Sequence, residues 1–196
     1  MQIERVMVGI TGASGAIYAH RLLRALALRP GEREILVVAS KAGRRVVREE
    51  LGSELPDTPD SMSAWLGLDP APDGARWQFF PVEDIGAGPA SGSYRLHTMA
   101  IVPCSMRTLA AVAGGLADNL ITRAADVCLK EGRRLVLAPR ECPLNALHLE
   151  NMLKLARLGV RIVPPMPGFY RGPQSVEDLV QFVVERLMDQ MGLTEI

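Results

Sequence analysis

The sequence predicts a doubly wound α/β domain, a single Rossmann/flavodoxin-like three-layer unit on a mainly parallel sheet, spanning residues 1–196. Three observations point to it. Short apolar runs alternate with stretches of helical periodicity along the chain. The runs are apolar throughout, beginning with Val-Met-Val-Gly-Ile at Val6–Ile10, as strands covered on both faces read. Most of them end at a turn or capping signal, such as Thr11-Gly12, Ser40 or Pro103.

In chain order, Val6–Ile10 is the first strand and Ala16–Leu28 the first helix, with Leu22, Leu23 and Leu26 on one side and Pro30-Gly31 as its stop. Ile35–Ala39 and Lys41–Leu51 repeat the strand–helix unit, the rhythm of a parallel sheet with right-handed crossovers. Gly52–Gly74, rich in Pro, Asp and Ser, reads as loops around a short helix near Met62–Leu66. Trp77–Pro81 follows as a strand, then the flexible loop Gly86–Ser93, whose glycines let backbone approach a ligand. Thr98–Val102 is a strand, Ser105–Val112 and Leu120–Lys130 are helices, Leu135–Ala138 is a strand and Pro143–Leu158 a helix. Arg161–Val163 is a short strand before the Pro-rich segment Pro164–Pro173, and Ser175–Met191 is a last helix opened by capping signals.

Composition narrows the function classes. Apolar residues make up 48% and charged residues 22%, which suits a globular chain and excludes a disordered one. The formal net charge is zero, so nothing predicts bulk attraction to nucleic acid or anionic membrane, and an anionic ligand needs locally placed cations. Three cysteines, Cys104, Cys128 and Cys142, with no metal spacing and no partner for a third, predict a reducing, cytoplasmic setting. His20, His97 and His148 share no ligand spacing with them, so no metal is expected. No apolar stretch has the length of a membrane span, and Met1–Arg5 opens no signal peptide. Apolar helix faces in excess of one core predict a homo-oligomer.

Ligands of such sheets bind beyond the carboxyl ends of the strands. The first strand is followed by Thr11-Gly12-Ala13-Ser14-Gly15-Ala16 at a helix start, which lacks the dinucleotide fingerprint and reads as a mononucleotide turn or as a plain glycine turn with Ser14 as cap. Ser40 after the second strand reads first as an N-cap, and Glu50 first as a surface glutamate. Ser105 and Thr108 open the helix after Thr98–Val102 on one face, with Met106 and Arg107 between them, for phosphate or for capping. Arg140-Glu141 after Leu135–Ala138 places a phosphate-binding fork beside a candidate acid or base, or a simple ion pair. Arg123, Lys130 and Arg186 are each solvated cations or members of a convergent cationic site, and Tyr170 belongs to a cover loop or to the core.

In this order the segments Thr11–Ala16, Ser40-Lys41, Pro89–Ser93, Pro103–Leu109, Arg123–Lys130, Pro139–Pro143, Pro164–Tyr170 and Pro173–Asp178 carry a likeness. The chain resembles the bacterial flavin prenyltransferases, within the homo-oligomeric flavin-containing Cys decarboxylase group, from about Val6 to Met191. The resemblance implies that FMN is held by Gly12, Ala13, Ser14, Ser40, Ser105, Met106, Arg107, Thr108 and Arg140. It implies that dimethylallyl phosphate is held by Arg123, Lys130, Arg140, Tyr170 and Arg186. Ser91 and Gly92 would come from a neighbouring subunit's loop or line the pocket mouth. Ser14, Glu50, Glu141 and Lys130 are the implied catalytic groups, cations and the Tyr170 hydroxyl stabilising the departing phosphate. Reduced FMN is implied as the acceptor, prenylated FMN as the product, a UbiD-type decarboxylase of aromatic or ubiquinone-precursor acids as its recipient, and a dodecamer as the assembly. The chain lacks the Trp-containing tail frequent in that family, and Gly52–Gly74 aligns poorly with it. An FMN-dependent cysteine decarboxylase of the same group, or a non-catalytic flavin-binding protein, are the alternative readings.

Overall fold

The computed structural model describes residues 3–193 except 69 and 71; the two ends of the predicted 1–196 domain and part of the Gly52–Gly74 linker lie outside the described residues. The elements are β1 (Glu4–Ile10), α1 (Ala16–Leu28), β2 (Arg33–Ala39), α2 (Lys41–Leu51), α3 (Pro59–Trp65), β3 (Ala75–Phe79), β4 (Thr98–Cys104), α4 (Met106–Gly114), α5 (Leu120–Lys130), β5 (Arg134–Pro139), α6 (Ala146–Arg157), β6 (Arg161–Ile162) and α7 (Val176–Met191). The sheet order is β3-β2-β1-β4-β5-β6, and every pairing is parallel.

Strand parity builds the three layers, because successive side chains leave opposite faces of a strand. Val6, Val8 and Ile10 of β1 face a core completed by Leu22, Leu23 and Leu26 of α1, Met62 of α3, and Val183 and Leu187 of α7. Met7 of β1 and Leu36 and Val38 of β2 face the other core, with Leu109 of α4, Ala124 and Cys128 of α5, and Leu155 of α6.

Several sequence-predicted boundaries move. β1 and β2 each start two residues earlier. β4 does not stop at Pro103 but runs through it to Cys104, where it pairs with Pro139 of β5. Three further shifts have a local cause. The third strand is Ala75–Phe79, two residues earlier than Trp77–Pro81, because Arg33 donates to the Gly74 carbonyl (2.8 Å) and fixes the β2 register there. α6 starts at Ala146, three residues later than Pro143, because the Asn145 side chain accepts from the His148 amide at 2.9 Å. The short helix is Pro59–Trp65, opened by the Thr58 cap, so it begins ahead of Met62.

Candidate active site

The order 3-2-1-4-5-6 reverses direction between β1 and β4, and the loops beyond these two strands open a crevice. Thr11 joins the two loops. Its hydroxyl donates to the Pro103 carbonyl and accepts from the Ser105 amide, both at 2.8 Å, and it is 2% exposed. Gly12 lies against α2, where a Cβ would stand 2.5 Å from that of Ala42. The backbone therefore borders the crevice without a side chain.

The crevice holds a cleft of about 970 Å³ lined by Gly12, Ser40, Lys41, Arg107, Asn119 and Thr122, among others. Ser40, Ser105 and Asn119 are the N-caps of α2, α4 and α5, so three helix N-termini meet at one wall. Their partial positive charges favour an anion there. The cap side chains are already engaged: Ser40 Oγ accepts from Gly43 (3.0 Å), Ser105 Oγ from Thr108 (3.3 Å), and Asn119 Oδ1 from Ile121 and Thr122 (3.0 and 3.1 Å). Lys41 lies 3.5 Å from Glu83, and Arg107 is exposed at the rim. Met106 turns away and packs against the α4–α5 core. Volume and lining suit a flavin mononucleotide, small-molecule sites spanning about 300–1,000 Å³.

Beside the cleft, the chain brings Ser14, Glu50 and Arg140 together. Gly15, at φ 114°, takes the left-handed conformation that turns β1 into α1. The Glu50 carboxylate then caps α1 through the amides of Gly15 (2.9 Å) and Ala16 (2.7 Å). Burial alone would raise its pKa, but the Ser14 hydroxyl, the two amides and the Arg140 charge together hold it below the ordinary 4.5. Glu50 is thus an ionised helix cap and not the free surface residue its sequence position suggests. Arg140 follows β5 and donates through Nε to the Ser14 carbonyl at 3.2 Å. Glu141 is exposed, its carboxylate accepting from the Cys142 amide at 3.1 Å.

Tyr170 and Arg186 lie toward the β6 edge. Tyr170 is 81% exposed, edge-on to Phe182 with ring centroids 5.8 Å apart. Phe182 and Arg186 line a cavity of about 610 Å³ with Val163, Pro164 and Met166, and Arg186 pairs with Asp189 at 2.5 Å.

Ser91, Gly92, Arg123 and Lys130 form a separate group. Arg123 Nε donates to the Ala90 carbonyl (3.1 Å) and pairs with Asp126 (2.7 Å). Lys130 pairs with Glu131 at 2.5 Å, and a Cβ on Gly92 would meet both side chains. Lys130 closes α5 just before β5, whereas Arg140 follows β5. At ~3.3 Å per residue the six-residue strand holds them about 20 Å apart. Within one chain, then, Lys130 does not join Arg140.

Sequence reasoning missed Thr11 as the joint between the loops, and Asn119 and Thr122 as a wall of the cleft. Asn119 directly before the apolar Leu120-Ile121 is a capping signal that could have found the third helix terminus. The buried thiols of Cys104 and Cys128 are pushed up to about 12 by burial, which leaves them inert. Among the described residues no helix is long and apolar enough to cross a membrane.

Comparison with known proteins places this geometry. The Flavoprotein family model matches residues 1–188. The flavin prenyltransferase UbiX of Pseudomonas aeruginosa is 49% identical over 192 residues, covering 98% of this chain and 91% of that protein. The crystal structure of AnUbiX (PadA1) in complex with FMN and dimethylallyl pyrophosphate superposes with a TM-score of 0.84 at 39% identity, covering 98% of this chain and 94% of that one. A dodecameric FMN-dependent UbiX-like decarboxylase from Escherichia coli O157:H7 gives 0.83 at 44% identity, covering 97% and 96%.

Proposed function

The chain belongs to the Flavoprotein family and, within it, to the UbiX-like flavin prenyltransferases, and from that premise we propose that it transfers a dimethylallyl group from dimethylallyl monophosphate to reduced FMN. The product is prenylated FMN, destined for a UbiD-type decarboxylase, and the reaction runs in the cytoplasm. The observation that carries the reading is the convergence, beyond β1, β4 and β5, of a hydroxyl-lined cleft with the Ser14–Glu50–Arg140 cluster.

Gly12, Ala13, Ser40, Ser105, Arg107 and Thr108 hold FMN, its phosphate toward the converging helix N-termini. Reduced FMN, when bound, supplies the electron-rich ring that accepts the allyl group. Arg140 reaches from the Ser14 turn toward the prenyl phosphate, and its fixed charge stabilises the departing dianion. Tyr170 and Arg186 bind the same phosphate from the β6 side. Glu141 is the proton donor to the leaving phosphate, and ionised Glu50 holds and orients the Ser14 hydroxyl.

Lys130 lies at the far end of β5 from Arg140, so the phosphate site is completed by a neighbouring copy. That copy contributes Ser91, Gly92, Arg123 and Lys130 as one preassembled face. The exposed leucines of α6, Leu147, Leu149 and Leu153, are further surface for the assembly, a dodecamer in this reading. The test is anaerobic incubation of the protein with reduced FMN and dimethylallyl monophosphate, followed by flavin mass spectrometry. A flavin heavier by one dimethylallyl unit is expected. Unmodified flavin, with carbon dioxide released from a cysteine peptide instead, overturns the reading in favour of a cysteine decarboxylase.

A further inference from the structure

The hydrogen bonds around Glu50 continue into a closed ring that no catalytic assignment uses. Glu50 sits one residue before the end of α2, and its carboxylate holds the Gly15 and Ala16 amides of α1. Gly52 ends α2 in the left-handed conformation, and the next residue, Ser53, accepts a hydrogen bond from Trp65 Nε1 at 2.8 Å. The Trp65 carbonyl is 3.1 Å from Nε2 of His20, on α1. The His20 and Trp65 rings pack edge-on with centroids 4.5 Å apart. The ring of contacts thus runs from α1 through Glu50, Ser53, Trp65 and His20 back to α1.

The clip is fixed on both sides. Met62 and Leu66, on either side of Trp65, are buried in the core that α1 shares, which anchors α3 there. The His20 bond to a carbonyl requires Nε2 to carry the proton. Nδ1 is then a buried acceptor with no partner among the described residues. A buried polar atom left unmatched costs stability, and the arrangement that keeps it must be set by its surroundings. Beside the packing of Val47 and Leu51 in the core shared with α1, the Glu50 carboxylate and the Ser53 bond are the polar ties of the α2 terminus.

We infer that Trp65, held between Ser53 and His20, is a positioning residue that sets the α2 terminus so that the Glu50 carboxylate meets the α1 amides beside Ser14. The inference rests on the proposed part of Glu50 in orienting Ser14. Trp65 lines neither the cleft nor the cavity at the β6 edge; it acts through Glu50.

The test uses the full-length protein and the variants Ser53→Ala, Ser53→Thr, Trp65→Phe, Ser53→Ala/Trp65→Phe and Glu50→Gln. Prenylation rate against pH, KM for dimethylallyl monophosphate, FMN affinity and melting temperature are measured for each. Ser53→Ala and Trp65→Phe each delete the same hydrogen bond, Phe keeping a ring against His20. Each is expected to lower kcat about fivefold, the worth of one net hydrogen bond. Each also moves the acidic limb of the rate profile to higher pH, with KM and FMN affinity unchanged. Ser53→Thr restores both, and the double variant is no slower than either single one. A merely structural role would lower the melting temperature and leave the limb in place. An acidic limb that Glu50→Gln abolishes but Ser53→Ala and Trp65→Phe leave unmoved overturns the positioning role and spares the Glu50 reading. A limb that Glu50→Gln does not change overturns the Glu50 reading, and the inference with it.

Discussion

Replacing Thr11 by valine removes one oxygen from the joint of the crevice and almost nothing else. The side chain is 2% exposed, and valine matches its shape, so no cavity forms. The loss is the pair of 2.8 Å hydrogen bonds to the Pro103 carbonyl and from the Ser105 amide. The carbonyl keeps one bond, from the Thr11 amide at 3.2 Å. The Ser105 amide loses its side-chain acceptor at the part-buried start of α4. One net hydrogen bond at about 1 kcal/mol and one unsatisfied donor at about 1–3 kcal/mol give a destabilisation of ~2–4 kcal/mol. For a chain of this size that is a fall in Tm on the order of 4–16 °C. The β1 and β4 loops carry the proposed flavin contacts, so FMN affinity should fall as well, in contrast to a remote core substitution of equal stability cost. The assays are thermal melting at fixed protein concentration and FMN binding by fluorescence. A variant that melts within about 1 °C of the parent and binds FMN equally would refute the idea that Thr11 holds the two loops in register.

Four further outcomes are expected. Gly12→Ala places a methyl 2.5 Å from Ala42 Cβ, so α2 must shift and FMN binding should weaken at least tenfold by titration, with only a small change in Tm. Glu50 has its pKa lowered, so its contribution to stability is complete above the ordinary value of 4.5 and is lost as the pH falls below it; Glu50→Gln should flatten the dependence of Tm on pH in that range. The His20 pKa is lowered, first by burial, with Arg21 and Arg24 adding to it against the Trp65 carbonyl. Its neutral form therefore supports folding fully above about pH 6.5, and that support erodes as the pH falls below it, so His20→Leu should flatten the fall in Tm below that pH. Glu141→Gln should slow prenylation by about a hundredfold or more while FMN still binds; an unchanged rate removes the proton-donor assignment.

The layers were legible in the sequence because a parallel strand buried on both faces is an uninterrupted apolar run, and Val6–Ile10, Ile35–Ala39 and Thr98–Val102 are such runs. β3 was harder: it is an edge strand whose register is set by a distant hydrogen bond, from Arg33 to Gly74, and local composition carries no trace of that. The α6 start was misplaced because Pro143 is a permissible first helical residue and only the Asn145 cap decides between the two. At the site, Gly12, Ser40, Ser105 and Thr108 were visible as strand-end residues, whereas the partnership of Glu50 with Gly15 and Ala16 spans 35 and 34 residues and depends on how α2 crosses α1. The same limit hid the separation of Lys130 from Arg140. They are ten positions apart in sequence, and the intervening strand sends them to opposite ends of the sheet.

That separation makes the central claim directly testable, since the proposed phosphate site draws Arg140 from one copy and Lys130 from another. Lys130→Ala and Arg140→Ala proteins, each nearly inactive alone, are dissociated, mixed and reassembled, and prenylated flavin is quantified by mass. Sites that receive both wild-type residues from different copies should restore a substantial share of the parental rate in the mixture. A mixture no more active than its two components, with mixed assembly verified by native mass spectrometry, would contradict a site shared between subunits.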